Sequence, residues 1–146
     1  MSTAKNLLAG LGGAIALNIM HESLKKTDSG MPRVDLVGEE ALQKILHYFG
    51  THISGKDNLY AATLGGDLVS NALYYSAIGA GGTEGVWPRA LALGLSGGIG
   101  ALVLPEPMGL DPEPVTKTTK SKVLTVAYYT AGALVTAAIL TAIKKK

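Results

Sequence analysis

The sequence predicts an all-α integral membrane protein with four transmembrane helices and a short amphipathic surface helix between the first and the second. Of its 146 residues, 47% are hydrophobic and only 16% are charged, whereas about a quarter of the residues in an average soluble domain are charged. The apolar residues also gather into four blocks with the charged residues between them, and each block is long enough to cross a bilayer as a helix. Residues 1–146 are therefore predicted to form one membrane domain, a four-helix bundle in contact with lipid.

The four predicted spans cover residues 6–24, 59–78, 86–104 and 123–143. The first resembles a signal peptide in length, but no Ala-x-Ala-like cleavage site follows its apolar run, so it is interpreted as a retained span. The last is the clearest, because it contains no charged residue. The glycine-rich link between the second and third spans is short, so the third is expected to return directly alongside the second as an antiparallel neighbour.

Between the first two spans, apolar residues recur at helical spacing over residues 38–50. Glu39 and Glu40 suit the first turn of a helix and Gly50 suits its end, so this segment is predicted to lie along the membrane surface or to cap the bundle. The loop after the third span holds four prolines, which exclude a continuing helix and predict an extended, turn-like backbone. Both loops are expected on one face of the membrane, mainly as connectors.

The charges in the loops predict how the protein is inserted. The two long loops carry eight basic residues, while the opposite face carries five, including the three lysines at the carboxyl terminus. The positive-inside rule therefore favours cytoplasmic loops and non-cytoplasmic termini, although the terminal lysines oppose it.

Polar and ionisable side chains inside the predicted spans concentrate on the first two helices. Such groups are costly in a bilayer, so they usually face the bundle interior or a cavity. They form one stripe on each helix, and their similar distances from the shared loop place the two stripes at one depth, facing each other. The predicted intramembrane polar site consists of Asn18, His21, Glu22, Asp67, Ser70, Asn71 and Tyr74.

Arg33, in the loop that follows, is expected to reach back and pair with Glu22 or Asp67. One imidazole beside two carboxylates could bind a divalent cation, relay protons or act as acid and base, so His21, Glu22 and Asp67 are the candidate metal ligands. The spacing does not indicate a zinc protease, because the second histidine of a His-Glu-x-x-His helix is missing. No organic cofactor is predicted. The alternative is that these groups only hydrogen-bond the helices together.

The third span carries Gly94, Gly97 and Gly98, whose small size lets another backbone approach closely. Packing within one chain is favoured over a homodimer seam. In either case these glycines are predicted to lie at a helix–helix contact.

Three functions are compatible with this pattern. The favoured hypothesis is a polar intramembrane site that binds or conducts a small ion, a proton or a polar solute; because four spans make a narrow bundle, a conducting form is expected to be a homodimer or larger. The first alternative is a non-catalytic accessory or scaffold subunit that packs against another membrane protein. The second is a membrane-embedded enzyme acting on a lipid, with His21 and Glu22 as acid and base. Nucleic-acid binding is disfavoured, because the formal net charge is only +2 and no basic stripe is present.

Overall fold

The computed structural model describes residues 2–144, and these form six α-helices, one 3-10 turn and no strand. The prediction of an all-helical chain is confirmed. The four long helices are α1 (Thr3–Leu24), α3 (Lys56–Ser76), α4 (Val86–Val103) and α6 (Thr119–Lys144). Two shorter helices, α2 (Val34–Tyr48) and α5 (Glu113–Thr116), lie in the two long loops, and the 3-10 turn Ala77–Gly79 follows α3.

Three of the long helices, α1, α4 and α6, are long and apolar enough to cross a membrane. Their outer faces carry large apolar side chains in the open, and Leu8, Ile19, Ile99 and Val123 are each at least half exposed. The residues buried between these helices are mostly alanine, glycine and threonine. Small residues at the helix contacts and large apolar residues outside are typical of helices that pack in lipid. These features indicate a membrane protein.

The second predicted span, residues 59–78, corresponds to α3. This helix has 21 residues, but it is not among the three that are apolar enough to cross a membrane. It begins with Lys56, Asp57 and Asn58, and it carries Asp67 and Asn71 near its middle. Polar residues at these positions lower its mean hydropathy below that of the other long helices.

The long helices pack in the spatial order α3, α1, α6, α4. The third predicted span, α4, was expected to lie directly alongside the second, α3. This prediction is wrong, because α4 packs mainly against α6. Helices α3 and α4 do meet near the turn that joins them, where the Tyr74 hydroxyl donates a hydrogen bond of 2.7 Å to the Leu93 carbonyl. Further from this turn, an open cleft lies between α3 and α4.

Two glycines allow α4 to approach α6 closely. A Cβ atom built on Gly98 would lie 2.5 Å from the Cα atom of Val126, and one built on Gly94 would lie 2.7 Å from the Cα atom of Thr130. Both distances are shorter than real Cβ atoms tolerate, so a larger residue at either position would push the helices apart. Gly97 faces two tyrosine rings instead. These three predicted packing glycines all contact other parts of the same chain.

The surface helix α2 begins earlier than the predicted residues 38–50, at Val34. Its first turn contains Asp35 rather than the glutamates at 39 and 40, and its start is fixed by a hydrogen bond from outside the helix, described below. It ends at Tyr48, just before Gly50, which has a φ of 79° and can adopt this left-handed conformation without steric cost. The sequence pattern located this helix but missed its first turn.

The proline-rich loop departs from the predicted extended backbone because it contains the one-turn helix α5. Pro114 lies at the start of this helix, where a missing N–H breaks no hydrogen bond. The Arg33 N–H donates to the Pro114 carbonyl at 2.9 Å, which joins the two long loops at one end of the bundle. Lys145 and Lys146, which entered the prediction of sidedness, lie outside the described residues.

A surface ion pair links the first of these loops to the start of α6. The Lys120 ammonium lies 2.6 Å from the Asp28 carboxylate, and it holds the pKa of Asp28 at about 2. Both side chains are half exposed, so solvent screens much of their attraction. The pair therefore helps to orient this loop more than it stabilises the fold.

Candidate functional site

Five residues of the predicted polar site line one small cavity between α1 and α3. The cavity has a volume of about 20 Å³, which is room for about one water molecule. Part of its wall comes from α2, and Tyr129 of α6 lines it as well. The five residues are Asn18, His21, Glu22, Asp67 and Asn71. The other two, Ser70 and Tyr74, line the larger cleft between α3 and α4.

His21 is buried near the carboxyl end of α1, and its ring caps α2. Its Nε2 atom accepts a hydrogen bond of 3.1 Å from the N–H of Val34, one of the free donors in the first turn of α2. A ring nitrogen that accepts a hydrogen bond carries no proton, so the imidazole is neutral, with its proton on Nδ1. Nδ1 lies 3.6 Å from the Glu22 carboxylate. This contact explains why α2 starts at Val34.

Arg33 pairs with Asp35, not with Glu22 or Asp67 as predicted. Its guanidinium donates two hydrogen bonds to the Asp35 carboxylate, at 2.9 and 2.8 Å. Burial by itself raises the pKa of Asp35, but the Arg33 hydrogen bonds and charge outweigh it and lower this pKa below its ordinary value. The predicted pairing was wrong because Asp35 accepts both guanidinium hydrogen bonds.

A second group of contacts ties α1 to α3. The Lys25 ammonium lies 2.8 Å from the Glu22 carboxylate and 3.5 Å from that of Asp35. Tyr60 of α3 donates its hydroxyl proton to Glu22 and accepts a hydrogen bond of 3.2 Å from Lys25. The mouth of the cavity is thus closed by a network in which every charged group has a partner.

Asp67 differs from the other two carboxylates of this cluster. Within residues 2–144 its oxygens have neither a hydrogen bond nor an ion pair, and the charges that act on it are those of Asp35 and Glu22. Gly38 of α2 lies directly over it, since a Cβ atom built there would be 3.3 Å from both carboxylate oxygens. Asp67 is therefore a partly buried carboxylate without compensation from neighbouring side chains.

Two buried donors lie in the same cavity as Asp67. Asn18 Nδ2 and Thr63 Oγ1 have no hydrogen-bond partner in the described part of the chain, and both residues line the cavity. The Thr63 side chain belongs to a residue that is only 4% exposed. Buried polar groups are rarely left unpaired, so one guest that hydrogen-bonds to both donors and to the carboxylate would satisfy the site.

The charges around the cavity do not balance. Three carboxylates, those of Glu22, Asp35 and Asp67, face two cations, Lys25 and Arg33, and the histidine is neutral. One negative charge is left over, and it belongs to the carboxylate without a partner. In a low-dielectric interior such a charge is normally neutralised by a proton or a bound cation.

The arrangement does not favour a multivalent metal ion. Residues 2–144 contain no group of three or more histidine, cysteine, aspartate or glutamate side chains that could hold one. His21 already accepts from Val34, and Glu22 is engaged by Lys25 and Tyr60. The three candidate ligands therefore share a cavity without forming a coordination shell.

Five residues of the site were not predicted: Lys25, Asp35, Tyr60, Thr63 and Tyr129. Tyr60 and Thr63 lie seven and four residues before Asp67, so they continue its stripe at helical spacing and could have been found by extending the pattern. Lys25 directly follows the first predicted span, and Asp35 lies in the loop after it, where no periodic pattern singled them out. Their roles depend on how that loop folds.

The fold and the cluster together indicate a small helical membrane protein with an acidic group inside its bundle. Comparison of the chain with protein-family models, with curated proteins and with solved structures gives no match.

Replacing Arg33 by glutamine is expected to lower the stability of the protein by roughly 1.5–3 kcal/mol at neutral pH, the range for hydrogen bonds to charged groups. The lowered pKa of Asp35 means that the pairing stabilises the fold above the unfolded pKa of about 3.9 and that this contribution disappears as the pH falls through the lower folded value. The difference in melting temperature between wild type and Arg33→Gln should therefore be largest near pH 7 and shrink below about pH 4.

The chain's other arginine gives the control. Arg89 donates to the Ile78 carbonyl at 2.6 Å and forms no ion pair among the described residues. Arg89→Gln should therefore lower the melting temperature by an amount that is independent of pH over the same range. A pH-independent effect of Arg33→Gln as well would contradict the assignment of Arg33 to Asp35.

Proposed function

We propose that the chain is a four-span membrane protein that binds and releases a proton at Asp67, inside its helix bundle. The observation that carries the proposal is the unpaired Asp67 carboxylate, which shares a cavity of about 20 Å³ with two unsatisfied buried donors. Of the three guests predicted from the sequence, a small ion, a proton or a polar solute, we retain the proton.

In this proposal α3 crosses the membrane together with α1, α4 and α6. One face of α3 presents apolar or small residues to the outside at helical spacing, with Ala62, Gly66, Val69 and Leu73 all exposed. Asp67, on another face, lines the cavity. A helix that is polar inward and apolar outward can cross a bilayer beside three more hydrophobic helices, because its polar groups avoid the lipid.

Size and charge both favour a proton. A cavity with room for about one water excludes larger solutes. The surplus of one negative charge is removed by one proton, and the groups that face Asp67 are the anionic Asp35 and Glu22, the neutral His21 and the phenol Tyr129. A single water held by the two free donors would connect the carboxyl group to its surroundings.

The small cavity and the larger cleft share a wall, which gives the proton a route. Asp67, Asn71 and Tyr129 line both spaces. On the opposite side, the network of Glu22, Lys25 and the surrounding residues closes the cavity. Exchange is therefore proposed to occur through the cleft between α3 and α4, on the half of the bundle where the two long loops meet.

Infrared difference spectroscopy tests the proposal directly. Wild-type protein in liposomes should show a protonated-carboxyl band that responds to pH, and this band should be absent from Asp67→Asn. Asp57→Asn is the matched control, because Asp57 lies on the exposed first turn of the same helix. A wild type without the band, or with the band unchanged in Asp67→Asn, would overturn the proposal.

The contacts give less support to the two alternatives. An enzyme that uses His21 and Glu22 as acid and base would have to break the hydrogen bonds that both groups already make. A scaffold that presents Gly94 and Gly98 to a partner would have to remove α6 from them. Each alternative predicts an activity that Asp67→Asn leaves unchanged. For the enzyme this is a lipid conversion, and for the scaffold it is a membrane protein that co-purifies with the chain.

A further inference from the structure

We infer that the cleft between α3 and α4 binds an amphipathic organic cation, with its ammonium group at Asp67 and its alkyl chain between α2 and α4. This inference deepens the proposed function, because it rests on the same unpaired carboxylate. It adds a ligand class that the small cavity is unable to hold.

The cleft has the size and lining of a ligand site. Its volume is about 480 Å³, within the range of roughly 300–1,000 Å³ that is usual for small-molecule pockets. Most of its lining is apolar and comes from three places, namely α2, α4 and the loop that follows α4. The apolar residues include Val37, Ala41, Ala101, Leu104, Met108 and Leu110.

The polar groups of the cleft are concentrated on the wall formed by α3. Asp67, Ser70 and Asn71 are contributed by one stretch of α3, and Ser96 comes from α4. An apolar pocket with a few convergent polar groups binds ligands that carry one polar end. The carboxylate supplies the charge that selects a cation for that end, since an ammonium group is a donor of three hydrogen bonds with a compensating charge.

The charge surplus of the cluster favours a cation over a neutral or anionic head group. Lys25 and Arg33 are already engaged by Glu22 and Asp35, so their charges are not available to Asp67. An ammonium group would neutralise this carboxylate as a proton does, and the two guests are therefore expected to compete.

The rim of the cleft is apolar and accessible from the side of the bundle. Leu104 and Met108 are both more than half exposed there. Both residues follow Val103, the last residue of α4, which is one of the helices able to cross a membrane, so the opening lies beside the end of a membrane-spanning helix. An amphiphile dissolved in the bilayer could enter sideways, with its chain following α4 and its head group moving inward to α3.

The test compares octylamine with octanol, two probes of equal chain length of which only the first carries a charge. Each is titrated into the full chain in nanodiscs of zwitterionic lipid, with empty nanodiscs subtracted. Wild type should bind octylamine saturably, and Asp67→Asn should weaken this binding on the order of tenfold or more, as expected for loss of a charge-assisted hydrogen bond. Octanol should bind both proteins with the same, weaker affinity.

A second variant tests the location independently of the charge. Gly100 lines the cleft, and a Cβ atom built on it would make only an ordinary contact of 3.4 Å with Leu104, so Gly100→Leu should fold and fill the space. It should weaken binding of both probes about tenfold. Leu91→Phe, at an exposed position of the same helix, should bind both as wild type does.

The outcomes separate this inference from the proposed function. Octylamine that binds no better than octanol, or equally well to Gly100→Leu, would overturn the cleft assignment, while the carboxyl band of Asp67 would leave the proton site standing. Conversely, Asp67-dependent octylamine binding without a pH-responsive band would support the cleft and remove the proton function. Added octylamine should also suppress the band if one group takes the place of the other.

Discussion

Gly98→Leu is expected to destabilise the fold strongly and to prevent the normal packing of α4 on α6. Even a Cβ atom at this position would lie 2.5 Å from the Cα atom of Val126, and backbone atoms move only if the whole helix moves. Over-packing usually costs about 1–3 kcal/mol and sometimes more. Because the added side chain would collide with backbone atoms, the expected loss of stability is at the upper end of this range or beyond it.

The measurement is the yield of monodisperse protein in mild detergent, together with its apparent melting temperature. Gly98→Ala should lower the melting temperature to a smaller extent, since it introduces one methyl group. Gly66→Leu and Gly66→Ala are the matched controls, because a Cβ atom at Gly66 meets nothing within 4 Å. These two variants should melt at or above the wild-type temperature, as alanine and leucine favour a helix over glycine by up to about 1 kcal/mol.

Equal melting temperatures for Gly98→Leu and Gly66→Leu would contradict the assigned α4–α6 contact. A Gly98→Leu protein that folds normally but fails to self-associate would instead indicate that this face forms a seam between two copies of the chain.

His21→Ala is expected to destabilise the polar cluster and the start of α2. It removes the acceptor of the Val34 N–H and leaves that partly buried donor without a partner, at a cost of about 1–3 kcal/mol. The first turn of α2 should then open. Hydrogen exchange should report faster exchange over residues 34–38, and the melting temperature should fall.

His47 provides the control for this substitution. It is an exposed histidine near the end of the same helix α2, so His47→Ala should leave both the exchange rates at residues 34–38 and the melting temperature close to wild type. Unchanged exchange in His21→Ala would mean that the imidazole does not cap α2.

Much of the candidate site could be predicted from the sequence, because it depends on regular helix geometry. The first and third helices are joined by one loop, so residues at similar distances from that loop lie at similar depths whatever path the loop takes. Asn18 and Asp67 were matched in this way, and they line one cavity. The stripe rule also applied to Asn71, because four residues are close to one helical turn.

The partners of the charged groups could not be predicted in this way. Arg33 and Asp35 are two residues apart, and a carboxylate at that distance can pair or point away according to the backbone between them. The start of α2 at Val34 settles the question, and that start is fixed by a histidine on another helix. A contact between two elements that are distant in sequence leaves no periodic signal in either.

The composition and the spacing of its apolar blocks were sufficient to establish that this chain is all helical and bears helices able to enter a membrane, since both properties depend on local hydropathy and on the 3.6-residue repeat. Only the tertiary structure shows that the main neighbour of α4 is α6 rather than α3. The cleft beside Asp67 is a consequence of this packing. Glycines of α1 as well as of α4 lie against the backbone of a neighbouring helix, so a row of glycines does not by itself identify its partner. The pairing of the helices depends on the combined fit of all the helices and loops, and no single segment encodes that fit.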